Sequence, residues 1–232
     1  MLKQLLFPFV QTLVRRTRHV HLDDTQRNVP VSRLFGMERG QAIDRHYIES
    51  FLSNNARHIR GRVLEVAASD YTRRFHSGAT AFEVLHIEPG HPGTTIVGDL
   101  TQLATLPEGV VDCFVCTHTF NFIFDLQRAV AGAHRLLAPG GTLVATLAGL
   151  SQISRYDMDR WGDYWRFTSA SAARLFGADF AQVEIRTYGN VLAAKALLDG
   201  VAVEDLPSPA LLDPVDPDYQ VVIGVVATKA SS

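Results

Sequence analysis

Two periods of apolar positions run through the chain. Over residues 41–58, Ile43, Tyr47, Ile48, Phe51 and Leu52 recur at three- and four-residue steps, which predicts an amphipathic helix ending near Gly61. Residues 62–67 (RVLEVA) then form a short apolar run, read as a strand that ends in small residues, with a helix opening soon after Asp70. Residues 82–87 and 94–97 predict a second and a third strand, and a helix is expected to start at Thr101. Residues 112–117 (DCFVCT) are apolar enough for a central parallel strand buried on both faces. Leu126, Ala129, Val130, Ala133, Leu136 and Leu137 make one stripe of a helix over 125–137, which Ala138-Pro139-Gly140-Gly141 should stop before a strand at 142–146. A capped helix at 169–177, an alternating strand at 182–187, a helical run at 190–198 and a strand at 219–227 complete the pattern. Strands alternating with helices predict an α/β fold.

The first part of the chain reads differently. Leu2, Leu5, Leu6, Phe9 and Leu13 share a helical face, and Arg15, Arg16 and Arg18 follow. That pattern suits a helix lying on a membrane surface or on a partner protein, and equally one packed on its own domain or on a second copy in a homodimer. Pro8, Gln11 and the lack of a small-x-small cleavage site argue against a signal peptide. Residues 20–36 have no period and read as a linker or wrapping arm. The expected organisation is therefore an N-terminal arm over 1–40, with membrane or partner contact through 1–19, and a single domain over 41–232.

Composition narrows the choices. The 22 basic and 24 acidic residues nearly balance, so no electrostatic footprint for nucleic acid is present. Cys113 and Cys116 stand three apart on a predicted strand, where they point to opposite faces. They read as two buried thiols in a reducing cytoplasm rather than as a metal or redox pair.

Several motifs occur in order. Glu65 closes the first strand, followed by Ala67, Ala68 and Ser69; Glu88 follows the second strand, Gly98-Asp99-Leu100 the third, and HRLLAPGGTLVAT precedes and forms the fifth. Together they resemble the class I S-adenosylmethionine (SAM)-dependent methyltransferases, most closely a bacterial type 11 subgroup, with a degenerate first motif. In the family's acid-x-Gly-x-Gly pattern Glu65 matches the acid, while Ala67 and Ser69 replace the glycines. A Cβ at such a position is expected to require a negative φ. The resemblance implies a Rossmann-like sheet of seven strands, mostly parallel, with an antiparallel C-terminal strand and helices on both faces. It also implies SAM as cofactor, bound by Glu65, Ala67, Ala68, Ser69, Glu88, Asp99, Leu100 and Thr117, and no metal. In this scheme Glu88 accepts hydrogen bonds from both ribose hydroxyls, a task that suits a carboxylate, and Asp99 bonds the adenine amino group. The competing readings are a solvent-facing Glu88 at a turn and an Asp99 that caps the following helix.

The acceptor side is less generic. His118 follows the fourth strand at the carboxyl edge, where open sheets meet their ligands, and is the first candidate for a general base, with Asp157 and Tyr156 next. A buried, satisfied His118 is the alternative. Residues 149–168 hold Trp161, Tyr164, Trp165 and Arg166, which would bind a small-molecule acceptor together with Tyr47 from a lid-like helix, unless the aromatics form a small satellite core. Arg155, Arg160 and Arg166 would suit a phosphate on that acceptor. Missing motifs exclude other chemistries: no (D/N)PP(Y/F), no Pro-Cys after the fourth strand, no carboxylate cluster for Mg²⁺, no GxSxG and no GxGxxG. The expected activity is O-methylation of a small hydroxylated metabolite, a sugar or natural product. The alternative is a catalytically silent methyltransferase-fold protein that supports a partner enzyme.

Overall fold

The structure is a computed structural model that describes residues 11, 13–14 and 27–231. The expected arm helix falls largely outside these residues. Helix α1 (Ile43–Asn54) is followed by β1 (Arg60–Val66), α2 (Asp70–Phe75), β2 (Gly78–His86), β3 (Ile96–Val97), β4 (Val111–Thr117), α3 (Leu126–Leu136) and β5 (Leu137–Ala148). Then come α4 (Arg155–Met158), α5 (Ser169–Phe176), β6 (Gln182–Tyr188), α6 (Val191–Asp199) and β7 (Val222–Thr228). The seven strands make one sheet in the order β3-β2-β1-β4-β5-β7-β6. Pairings among the first five are parallel. Gly140 N–H donates to Ala230 O and Lys229 N–H to Gly141 O, a descending register that makes β7 antiparallel to β5.

The described residues gather into two compact units. The larger comprises Ile48–Ala148, Arg155–Arg186 and the chain from Ile223, and its core follows from the two faces of β4. Phe114 and Cys116 join Ala129, Val130, Ala133 and Leu136 of α3 and Phe176 of α5 in one apolar cluster, in which Phe120 and Phe176 meet edge to face. Gly132 allows α3 to sit close, because a Cβ there would meet the Leu100 carbonyl oxygen at 2.1 Å. Cys113 and Val115 are buried on the opposite face of the strand. Helix α1 covers a glycine of β7, where a Cβ at Gly224 would stand 2.5 Å from the Phe51 ring. Both cysteines are free and buried, and burial pushes the Cys116 thiol up to about 12.

Two expectations change in detail. No helix starts at Thr101; a single 3-10 turn over Leu103–Thr105 takes its place. The reason is local: the Asp99 carboxylate holds the Thr101 N–H and hydroxyl, each at 2.8 Å, and Pro107 follows too soon for a helix to propagate. The helix before β5 also ends at Leu136, ahead of Pro139, with β5 running on directly. Residues 138–141 form an irregularity in the β4–β5 register, where Val111 faces Leu137 but Cys113 faces Thr142. The Lys229 ammonium donates to the carbonyls of His134 and Leu137 at the end of α3, supplying the cap that the proline does not.

The smaller unit takes its described residues from the stretch ending at Tyr47, from Gly149–Ser154 and from Thr187–Val222. Its anchor is the Arg39–Asp205 pair, bidentate at 2.7 and 3.0 Å and almost wholly buried. Asn190 caps α6 by accepting from the Ala193 N–H. Tyr47 belongs here, its hydroxyl donating to the Leu212 carbonyl at 2.9 Å and its ring beside Tyr188. Burial raises its phenol further above the ordinary tyrosine range.

Candidate functional site

The carboxyl ends of β1, β2 and β4 lie side by side, with Val66 opposite Leu85 and Glu65 opposite Val115. The loop after β1 turns there without a glycine. Ala67 adopts φ +65, so the expectation of a negative φ is corrected. The left-handed turn is kept at a cost of about 1–2 kcal/mol, because neighbouring bonds hold it. Ala67 N–H donates to Leu85 O at 2.9 Å and Ala68 N–H to Val66 O at 2.8 Å. Ser69 sits at an ordinary φ of −122 in front of α2 and makes no side-chain cap.

Glu65 supplies that cap instead. Its buried carboxylate accepts from the Thr72 N–H at 2.8 Å, the Thr72 hydroxyl at 2.9 Å and the Tyr71 N–H at 3.3 Å. The acid therefore fixes the loop to the first turn of α2, where a negative charge also suits the helix dipole. Burial raises its pKa, against the pull of the Thr72 and Tyr71 hydrogen bonds.

Beyond β2 the Glu88 side chain is exposed, and its backbone N–H donates to His86 Nδ1 at 3.0 Å. His86 stacks on His91 with ring centroids 4.1 Å apart. Asp99 caps its own turn through Oδ1, and its Oδ2 takes only a long 3.4 Å bond from Gln102 Nε2. The Leu100 side chain belongs to the apolar core. Tested against the cofactor the family implies, the residues fit. The turn after β1 keeps its shape despite the alanine, the Glu88 carboxylate is open to a ribose, and Asp99 retains an oxygen with little to hold.

After β4, Thr117 pairs with Thr146 of β5, and the Thr117 carbonyl accepts from the Thr119 hydroxyl at 3.1 Å. His118 is half-buried with φ +44, and its N–H donates to Thr146 O at 2.9 Å. A left-handed backbone at a histidine is uncommon, and here the β5 edge holds it. Asn121 follows, only 3% exposed, and its side-chain oxygen is buried with no partner. An unmatched acceptor of this kind costs stability and marks a place where a ligand donor would be welcome. The sequence places Asn121 at the edge but gives no hint of this isolation, which arises from the packing around it.

The aromatic segment is stapled to the same loop. Tyr164 N–H and Trp165 N–H donate to the Asn121 carbonyl at 2.9 and 3.2 Å, and Trp165 Nε1 donates to Ile123 O at 3.1 Å. Phe124 touches both rings, with centroids 5.4 Å from Tyr164 and 5.8 Å from Trp165. These are not satellite-core residues: Phe124 is 68% exposed, Tyr164 49% and Trp165 36%. Phe124 is a second member that sequence reading missed, since an aromatic before a helix cap looks like ordinary packing.

Asp157 and Tyr156 lie in α4, where Asp157 accepts from Trp161 Nε1 at 3.0 Å and an Arg160 guanidinium covers the Tyr156 ring at 3.6 Å. The three arginines are engaged locally. Arg155 pairs with Asp159 at 2.7 Å, Arg160 donates to the Tyr156 carbonyl, and Arg166 grips the buried Asp163 carboxylate at 2.6 and 2.9 Å. The structure thus brings His118, Asn121, Tyr164 and Trp165 together, while Tyr47 lies in the other unit. Among the described residues no group of three or more His, Cys, Asp or Glu is arranged to hold a metal ion, and no helix is long and apolar enough to cross a membrane.

Comparison with known proteins agrees with this geometry. Residues 52–145 match the family described as "Methyltransferase domain". No curated protein sequence matches the chain. Among solved structures, it is similar to a chain of the complex between the Haloferax volcanii Trm112 methyltransferase activator and a methyltransferase, with TM-score 0.53, 17% identity, and 81% of this chain and 91% of that chain covered. A SAM-dependent methyltransferase from Archaeoglobus fulgidus aligns with TM-score 0.52 and 10% identity over 79% of this chain and 94% of the other. A SAM-dependent methyltransferase from Thermotoga maritima, described as a possible histamine N-methyltransferase, gives 0.51 and 15% over 79% and 89%. With the methyltransferase-domain match running from the end of α1 into β5 and β7 inserted between β5 and β6, the sheet has the fold of the class I SAM-dependent methyltransferases, whose cofactor is S-adenosylmethionine.

Proposed function

We propose that the protein methylates a hydroxyl group of a small metabolite, a sugar or natural product, at the carboxyl edge beside His118. The observation that carries this reading is the stapling of an exposed aromatic segment to the loop that bears His118, through the two N–H bonds to the Asn121 carbonyl. Aromatic faces suit a sugar ring or a planar natural product. When bound, SAM supplies a methyl group already attached to a good leaving group, so the protein's work is mainly alignment and exclusion of water.

In this reading Glu65 holds the turn at Ala67–Ser69, Glu88 takes the ribose hydroxyls, and Asp99 offers Oδ2 toward the adenine side. Thr117 and Leu100 support that wall from the strand end and the core. His118 accepts the proton of the acceptor hydroxyl at an imidazole nitrogen, and Asn121 Oδ1 accepts a hydrogen bond from a second donor on the same molecule. Trp161, Tyr164 and Trp165 provide the apolar surface, while Asp157 and Tyr156 shape the outer rim. Because Arg166 is bound to Asp163, its part is to hold the segment and not to hold a phosphate. The test is a substitution at the segment: Trp165→Ala should leave SAM affinity nearly unchanged and lower turnover on the acceptor at least tenfold. Full turnover in that variant would remove Trp165 from the site.

A second reading has its own support. The exposed cluster Phe124–Tyr164–Trp165 is a surface that a protein partner could cover, and one structural neighbour is a chain of a methyltransferase–activator complex. On that reading the protein supports a partner enzyme, and Trp165→Ala would abolish the association in a pull-down with the purified partner while no methyl transfer is found.

A further inference from the structure

The sheet has a second edge, at the starts of β1, β2, β4 and β5, that the proposed activity does not use. A cleft of about 740 Å³ opens there, within the size range of small-molecule sites. Arg57 and Arg60, on either side of the turn into β1, line it together with His58. Neither arginine has a carboxylate partner among the described residues. Arg57 Nε donates to His58 Nε2 at 3.1 Å, which leaves the terminal nitrogens of its guanidinium available. Burial, and then the neighbouring arginines, hold His58 below the ordinary histidine range, against the opposing pull of Glu184, so at neutral pH the ring serves as this acceptor. The cleft's one acid, Asp112, is engaged by the backbone beside it, its Oδ2 accepting from the Arg62 N–H at 2.7 Å. Thr142 adds a hydroxyl donor, and the lining at Gly78 is open, with nothing within 4 Å of where a Cβ would stand.

We infer that this cleft is a second ligand site, at which Arg57 and Arg60 bind the phosphate or pyrophosphate group of a small molecule. Guanidinium forks match phosphate oxygens in geometry as well as charge, and the two arginines lack the competing carboxylates that occupy Arg155 and Arg166. The near-zero net charge of the whole chain favours a small ligand over a nucleic acid, because a local pair of cations cannot follow a long phosphate backbone.

Calorimetric titration of the full chain with sodium pyrophosphate at low ionic strength tests this. One saturable site is expected, weakened at least about tenfold by the Arg57→Ala/Arg60→Ala double substitution. Both side chains are exposed, so the variant should fold as the parent does. Gly78→Asp, which keeps both arginines and adds a repelling charge to the lining, should weaken binding independently. SAM binding should be unchanged in all three proteins. No heat up to about 10 mM pyrophosphate, or equal affinity in the double variant, overturns the site. Tighter binding of a short oligonucleotide than of pyrophosphate overturns the small-molecule form of the proposal.

Discussion

The loop after β1 and the segment after β5 meet the same edge of the sheet in opposite ways. In the first, almost every polar group is spoken for: Glu65 holds α2, Ala67 and Ala68 bond back to the strands, and the turn keeps its left-handed φ with an alanine. In the second, Phe124, Tyr164 and Trp165 stand in solvent, held by their backbone and one indole N–H. The difference teaches where the fold dictates and where this chain is free. The loop proposed for the cofactor is held by its own bonds to the strand and to the first turn of α2, so the alanine at a left-handed position changes its cost more than its shape. The segment proposed for the acceptor presents residues whose faces remain available, and on the proposed function specificity belongs there.

The largest test of this contrast is on the open side. His118→Ala should lower turnover by about 10²–10⁴-fold, the range for loss of a general base, while calorimetry shows SAM affinity little altered. A parallel loss of SAM affinity would mean that His118 serves the cofactor side and that the division fails. Next in size is the closed side. Glu65→Ala strands the buried Thr72 hydroxyl and N–H and should cost about 3 kcal/mol in urea denaturation, with helix α2 losing amide-exchange protection. Its pH dependence has a definite sign. Burial raises the folded-state pKa, so the stability owed to this carboxyl is complete below the ordinary glutamate range and is lost as pH rises through the raised value. The advantage of the wild type over Glu65→Gln should therefore shrink as pH rises above the ordinary glutamate range, and a growing advantage would contradict the burial argument. The smallest effect is at the strained turn. Ala67→Gly should raise stability by about 1 kcal/mol, since it relieves the positive φ; a loss of stability would show that the Ala67 methyl packs usefully.

These outcomes also bear on what the sequence could reveal. Seven strand positions and the helices at 43–54, 126–136, 169–176 and 191–199 follow from apolar period, because burial on a sheet face or helix stripe is written residue by residue. The opposite facing of Cys113 and Cys116 follows from the same period. The failure at Thr101 has a different origin: a side chain competes with the backbone there, and Asp99 prevails over weak helix propensity before Pro107. Ala67 is the clearest case of tertiary override, since the sequence argument weighs only the local Cβ, whereas the loop is fixed from Leu85 and Thr72. The candidate site divides in the same way. His118, Tyr164 and Trp165 are legible from their place after strands. The isolation of the Asn121 side-chain oxygen, the pairing of Arg166 with Asp163 and the part played by Phe124 are not, because each depends on how side chains pack in the folded loop and not on apolar period.

The measurement that tests the account most directly is calorimetric titration of the folded protein with SAM. The account predicts one saturable site, with Glu88→Ala weakening it by about 1–3 kcal/mol, the scale for hydrogen bonds to a charged group. Absence of heat at millimolar SAM in protein with an intact thermal transition would contradict it and leave a methyltransferase fold that serves a partner.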